Sequence, residues 1–238
     1  MTTPNPPQPI TIRLPSKYST SSSSTSSTTS SFTPPSLSFL RRTWSVTHST
    51  LKMWRSARNV RITYGSLPPS TSPSTKKGSG NGNGNRRECL SDTVEYEALS
   101  GSGRVKRVLG TDTAAAGVEE GKQGGTGAWD WRGSGWLFFV SSHWEVLGWG
   151  ERREQGLGPN GEEEEVVAER WVVTWFAPTL FTAEGIDVYS DRKEGGSAAL
   201  VRDVLAELGK VCEGKGKLGE IVAREMKEVA IRLPWKES

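Results

Sequence analysis

Few side chains in this 238-residue sequence have the type and spacing that catalysis or metal binding requires. The histidines are His48 and His143, the cysteines Cys89 and Cys212, and no two of the four are close neighbours. A zinc site draws three or four Cys, His or carboxylate ligands from short-spaced pairs, so no metal is expected. Ser142, His143 and Asp130 are the residue types of a hydrolytic triad. However, no Gly-x-Ser-x-Gly turn surrounds the serine, and adjacent residues of an extended chain cannot face each other. A hairpin turn accounts for them better. The glycine-rich run Gly78–Asn85 could cradle a phosphate only at a strand-to-helix switch; none follows, and it reads as a flexible loop. Neither an enzyme nor a cofactor is expected.

Tryptophan is the conspicuous residue type. The chain has 10 Trp against 4 Tyr and 6 Phe, and all the tryptophans but one lie between Trp44 and Trp175. Side chains of this size build a thick aromatic interior. Charge is unevenly placed. The formal net charge is +3, yet none of the 27 Asp and Glu residues lies before position 88. The part from Glu88 onward is therefore net acidic. Together with the absence of zinc-finger, RNP or helix-turn-helix patterns, this leaves no nucleic-acid partner expected. No run approaches the ~18 apolar residues of a membrane helix, so no integral membrane segment is expected. Two cysteines cannot staple a disulfide scaffold.

Residues 1–36 read as a disordered Ser/Thr/Pro-rich tail: they are too polar to offset the entropy of ordering. The tail lacks an apolar signal core and the chain has no Asn-x-Ser/Thr sequon, so a cytoplasmic location is expected. Residues 37–238 then form one domain. Strand character, with alternation at period two, recurs at Trp44–His48, Val60–Tyr64, Thr93–Ala98, Arg104–Leu109, Gly135–Ser141, Trp144–Trp149, Trp171–Phe176 and Ile186–Ser190. Ser66–Arg87, Ala114–Gly127 and Glu151–Glu169 read as loop insertions between them. Helical spacing appears only near the end. One helix is capped by Ser197 and stops at Gly209, and a second covers Leu218–Val229. The fold class is mainly β: an eight-stranded antiparallel up-and-down barrel followed by one or two helices.

This order of elements resembles the lipocalin/calycin superfamily, including fungal lipocalin-like proteins. The segment Arg42–Ser49 is similar to the family's opening strand with its Trp. Gly185–Arg192 is similar to a last strand ending in a Ser/Arg signature, and Trp171–Phe176 takes the penultimate place. The resemblance implies that Trp44 lies across the closed end of the barrel with Arg192 packed on it as a structural plug. Haem ligation through His48 or His143, known among related small barrels, is outweighed by an ordinary rim or core histidine.

The function expected is binding of a small hydrophobic ligand, lipid- or pigment-like, inside the barrel without catalysis. The candidate pocket residues are Val60, Ile62, Tyr64, Trp136, Trp144, Trp175 and Tyr189. The alternative is a scaffold or interaction protein whose barrel is filled by its own tryptophans and which acts through its tail and charged loops.

Overall fold

The computed structural model describes residues 9–19, 32–71, 86–115, 127–157 and 161–237. Eight strands form the wall: β1 (Thr43–Ser49), β2 (Ala57–Thr71), β3 (Arg86–Ala98), β4 (Lys106–Ala114), β5 (Ala128–Gly133), β6 (Ser141–Leu157), β7 (Glu163–Phe176) and β8 (Gly185–Ser190). Each pairs antiparallel with the next, and β1 pairs with both β2 and β8, which closes the barrel. A two-residue strand, β9 (Lys227–Glu228), adds to the end of β1.

The strand number is as expected, but one stave differs. Gly135–Leu137 is a 3₁₀ turn, and the fifth strand is Ala128–Gly133. The apolar run Trp136–Val140 has no alternation, and Gly135, at φ 63°, turns the chain just before it. Residues 151–169 are likewise mostly strand. The paired arms of β6 and β7 run on past the barrel, with Arg152 opposite Glu169 and Gln155 opposite Glu165. No residue is buried along the outer part of β6, so no inside-outside alternation marks it as a strand. β2 continues through Pro68 and Pro69 to Thr71, with its register breaking between Leu67 and Ser70. The rest of that expected loop, and residues 116–126, lie outside the described residues.

Two cores sit on either side of the wall. The inner one includes Trp44, Val60, Tyr64, Leu90, Trp129, Trp144 and Tyr189. The outer one joins Leu147, Trp171, Val173, Trp175, Ile186 and Val188 to the buried stripe of α2 (Ala198–Cys212) and to Leu218 of α3 (Lys217–Glu225). Helix α2 starts where expected, with Ser197 accepting from the Leu200 amide. It passes Gly209, around which there is open space, and ends at Cys212.

Parts of the expected tail lie against the barrel. In residues 9–19, the Arg13 amide donates to the Leu147 carbonyl (2.8 Å) and Ile12 is buried in the outer core. The Arg13 guanidinium meets the buried Glu145 carboxylate at 2.8 Å, and the Ser16 amide donates to the same group at 3.0 Å. Phe32 packs on the inner core, and the indole of Trp149 donates to the Thr33 carbonyl. Residues 1–8 and 20–31 lie outside the described residues.

The closed end differs from the expected Trp44–Arg192 pairing. Trp44 is fully buried there, its indole donating to the Leu40 carbonyl of α1 (Leu37–Leu40) at 2.9 Å. The cation over its ring is Arg42, 5.4 Å from the centroid and 5.3 Å from that of Phe39. Arg42 also donates to the Phe39 carbonyl and is paired with Asp191 at 3.5 Å. β8 ends at Ser190, so Arg192 lies past the sheet and turns outward to Glu194 at 2.6 Å. Arg42→Ala should therefore lower stability by roughly 1–3 kcal/mol, and Arg192→Ala by less than about 0.5, in denaturant unfolding. Equal effects would contradict this plug. Deleting residues 1–19 strips Glu145 of Arg13 and Ser16 and uncovers the Ile12 site. The expected loss is roughly 2–4 kcal/mol, and an unchanged melting temperature would show that the segment contributes nothing.

Candidate ligand-binding pocket

The end of the barrel away from Trp44 holds a cavity of about 430 Å³. Three connections frame it: the 3₁₀ turn Lys52–Ser56 after β1, residues 134–140 between β5 and β6, and residues 177–184 between β7 and β8. Its wall comes from inward-facing residues at period two, such as Val94 and Tyr96 on β3, and Thr174 and Phe176 on β7. Trp54 closes one side, edge-on to Tyr96 at 5.2 Å. Tyr64, Trp144 and Trp129 are stacked in succession, with centroids 5.5 and 5.9 Å apart.

Of the residues expected in the pocket, Ile62, Tyr64, Trp144 and Tyr189 stand in the cavity wall. Val60 shares their inner face but belongs to the packed core rather than the cavity surface. Trp136 is at the mouth on its 3₁₀ turn and is 76% exposed. Trp175 corrects the expectation: it points outward into the helix-covered core, where its indole donates to Glu184 at 3.0 Å. Both faces of β7 are buried, so alternation alone does not say which face is the inside.

Polar residues that sequence reasoning passed over sit in the same cavity. Asp92 and Asp187 line it, and Asp112 lies buried nearby, receiving the Trp144 indole at 2.7 Å. Their signal was legible. Leu90, Asp92, Val94 and Tyr96 share one face of β3, and Asp187 is in phase with Tyr189 on β8, so each carboxyl replaces an apolar residue in a buried row. Burial pushes Asp187 up to about 7, against the opposing influence of Ser49, Trp54 and Arg55. Burial also raises Asp92, with the Trp131 donor opposing. Asp112 is raised well above its usual range by burial and then by the charge of Asp92. Tyr64 and Tyr189 are raised by the same burial and by these carboxyls.

The triad residue types are not assembled. Ser142 lines the cavity, whereas His143 pairs with Asp130 at 2.9 Å across β5 and β6 and approaches Glu145 at 3.8 Å. Among the described residues no cluster of His, Cys, Asp or Glu is arranged to hold a metal ion. Around the mouth, Trp136, Phe138, Phe139, Leu180 and Phe181 are exposed, with Phe139 and Phe181 in ring contact at 6.3 Å.

No family model matches the sequence, and no curated protein matches it. The closed eight-stranded up-and-down order is compatible with the calycin resemblance.

The interior carboxyls set a pH dependence. Asp187 keeps its proton up to about pH 7 when folded, but only to about pH 4 in an unfolded chain. Between those values the folded state holds more protons, so stability falls as pH rises from about 4 to 7. Glu145 acts oppositely: Ser16, His143 and Arg13 hold it down to about 2 despite its burial, and its contribution is lost as pH falls from about 4 towards 2. Thermal unfolding should show a maximum near pH 4 and a decline that levels off above about pH 7. Asp187→Asn should flatten part of that decline, and an unaltered decline would mean that Asp187 is already ionised in the fold.

Proposed function

We propose that this protein binds a small, largely apolar molecule in the barrel cavity and releases it unchanged. The observation that carries this reading is the open cavity itself. At about 430 Å³ it falls in the range of roughly 300–1,000 Å³ typical of small-molecule sites. Its wall is mostly aliphatic and aromatic, with a few polar groups at fixed places, as such sites are built. The separation of Ser142 from His143 supports binding rather than covalent turnover. The calycin-like barrel order agrees with this reading.

The stacked rings of Tyr64, Trp144 and Trp129 form a stiff wall that loses little freedom when a ligand docks, which favours affinity. The neutral dye Nile red should bind saturably, with a dissociation constant on the order of micromolar. Val94→Trp, which fills the cavity, should weaken that binding about tenfold or more while the fold still unfolds cooperatively. Absence of saturable binding to the unaltered protein would favour the scaffold alternative.

A further inference from the structure

The buried carboxyls of this protein fall into two groups. Glu97, Glu145, Glu169 and Glu184 are buried beneath segments that lie on the barrel, and each receives donors from its surroundings. For example, Asn59 and the Lys236 amide serve Glu97, and the amide and hydroxyl of Ser197 serve Glu169. None of these glutamates has a buried oxygen left without a partner. The aspartates of the barrel interior differ. Asp92 Oδ1, Asp187 Oδ1 and Asp112 Oδ2 are each buried with no hydrogen-bond partner. Asp92 is 8% exposed and Asp187 3% exposed, and both border the cavity.

An unpartnered buried acceptor costs about 1–3 kcal/mol, more if it is charged. Two of them facing one cavity mark a place where donors are missing. Among the described residues no Lys, Arg or His lines the cavity, and the donors that bear on these carboxyls from the wall are neutral: Trp131 on Asp92, and Ser49 and Trp54 on Asp187. Arg55 is the cation that bears on Asp187, but its guanidinium is engaged by the carbonyls of Ser49 and Glu225. Thr174, the register partner of Asp187 across β7 and β8, also has an unpartnered hydroxyl bordering the cavity. Burial and the charges of Asp187 and Asp92 raise the Tyr189 hydroxyl, which lines the same cavity.

We infer that the ligand is an apolar molecule carrying a protonated amine, with Asp92 and Asp187 receiving the ammonium group; this rests on the reading of the cavity as a binding site. The chemistry selects among head groups. A carboxylate ligand would add negative charge beside two carboxyls with no cation to offset it. A hydroxyl provides one donor and no charge. An ammonium offers three donors and a positive charge, and so answers unpartnered carboxyl oxygens at the cavity wall with charge-assisted bonds. The aromatic wall then receives the rest of the molecule, and the nearby π faces favour a cation over a neutral head group.

The test uses three ligands with the same ring and chain but different ends: naphthylethylamine, naphthylethanol and naphthylpropionate. Each is titrated calorimetrically into the full-length protein near neutral pH. The amine should bind about tenfold or more tightly than the alcohol, and the propionate weakest of all. Asp92→Asn and Asp187→Asn, which keep shape but remove charge, should each reduce the amine preference while leaving alcohol affinity within about threefold. If the alcohol binds as well as the amine, or the preference survives both substitutions, the amine assignment is overturned and the apolar-cavity reading stands. If none of the three binds saturably, both are overturned.

Discussion

A carboxylate taken out of water must be given donors, and the way this protein meets that demand organises everything outside the barrel wall. Glu145 and Glu184 hold residues 9–19: the first through Arg13 and Ser16, the second through Lys17 and the Tyr18 hydroxyl at 2.8 Å. Glu169 receives the N-cap serine of α2, and Glu97 receives Arg58, Asn59 and the C-terminal Lys236 amide. A carboxylate sealed under a segment makes that segment obligatory, because removing the donors leaves a buried charge. The barrel thereby fixes the positions of its N-terminal strap, of α2 and of the irregular segment after β9 with one recurring device. Apolar burial, chiefly the outer core under α2 and α3, adds area to contacts that the glutamates orient.

The same demand is left partly unmet inside. Asp92 and Asp187 border a space bounded by rings, with Asp112 buried close by, and the donors that reach them come from the wall alone, such as the Trp144 indole on Asp112. A filled core of this size would gain stability by replacing these aspartates with apolar residues. Their place in phase with buried rows is a local inconsistency of the kind expected at a functional site, and the proposed amine site gives it a role. The contrast between four satisfied glutamates and three under-satisfied aspartates is a difference of place, not of residue chemistry.

Much of the barrel was legible in the sequence because apolar and polar residue types alternate at period two along its strands. In Val60-Ile62-Tyr64 and Val94-Tyr96 the apolar residues alternate with polar ones, although Arg61 and Glu97 on the other face are themselves buried, and Ser197 was legible as a cap because an N-cap is a local hydrogen bond. The failures share one cause. Where both faces of a strand are dry, as on β7, the pattern identifies the strand but not its inside, and Trp175 was assigned to the wrong side. Where both faces are exposed, as on the outer arm of β6, strand and loop read alike. A short apolar run without alternation, Trp136–Val140, resembles a buried strand until the adjacent glycines are considered. The plug cation was misplaced by assuming that the strand end after β8 carries it. Arg42, two residues before Trp44, reaches the same ring more directly.

The closure of the barrel has a consequence for the order in which it forms. β1 is the seam: it pairs with β2 nearby in sequence and with β8 some 140 residues later, Ser45 lying opposite Ser190. On the ribosome, β1 leaves the exit tunnel early and its second neighbour almost last. Until β8 arrives, β1 and β7 both present open edges, and the outer helix that covers β7 has not yet been made. Contacts of such long sequence separation are slow to form, so the nascent chain passes through a stage in which a curled, unsealed sheet exposes aromatic rings. Charged residues on the projecting arms of β6 and β7, Arg152, Arg153 and Glu165 among them, discourage edge-to-edge pairing between unfinished chains.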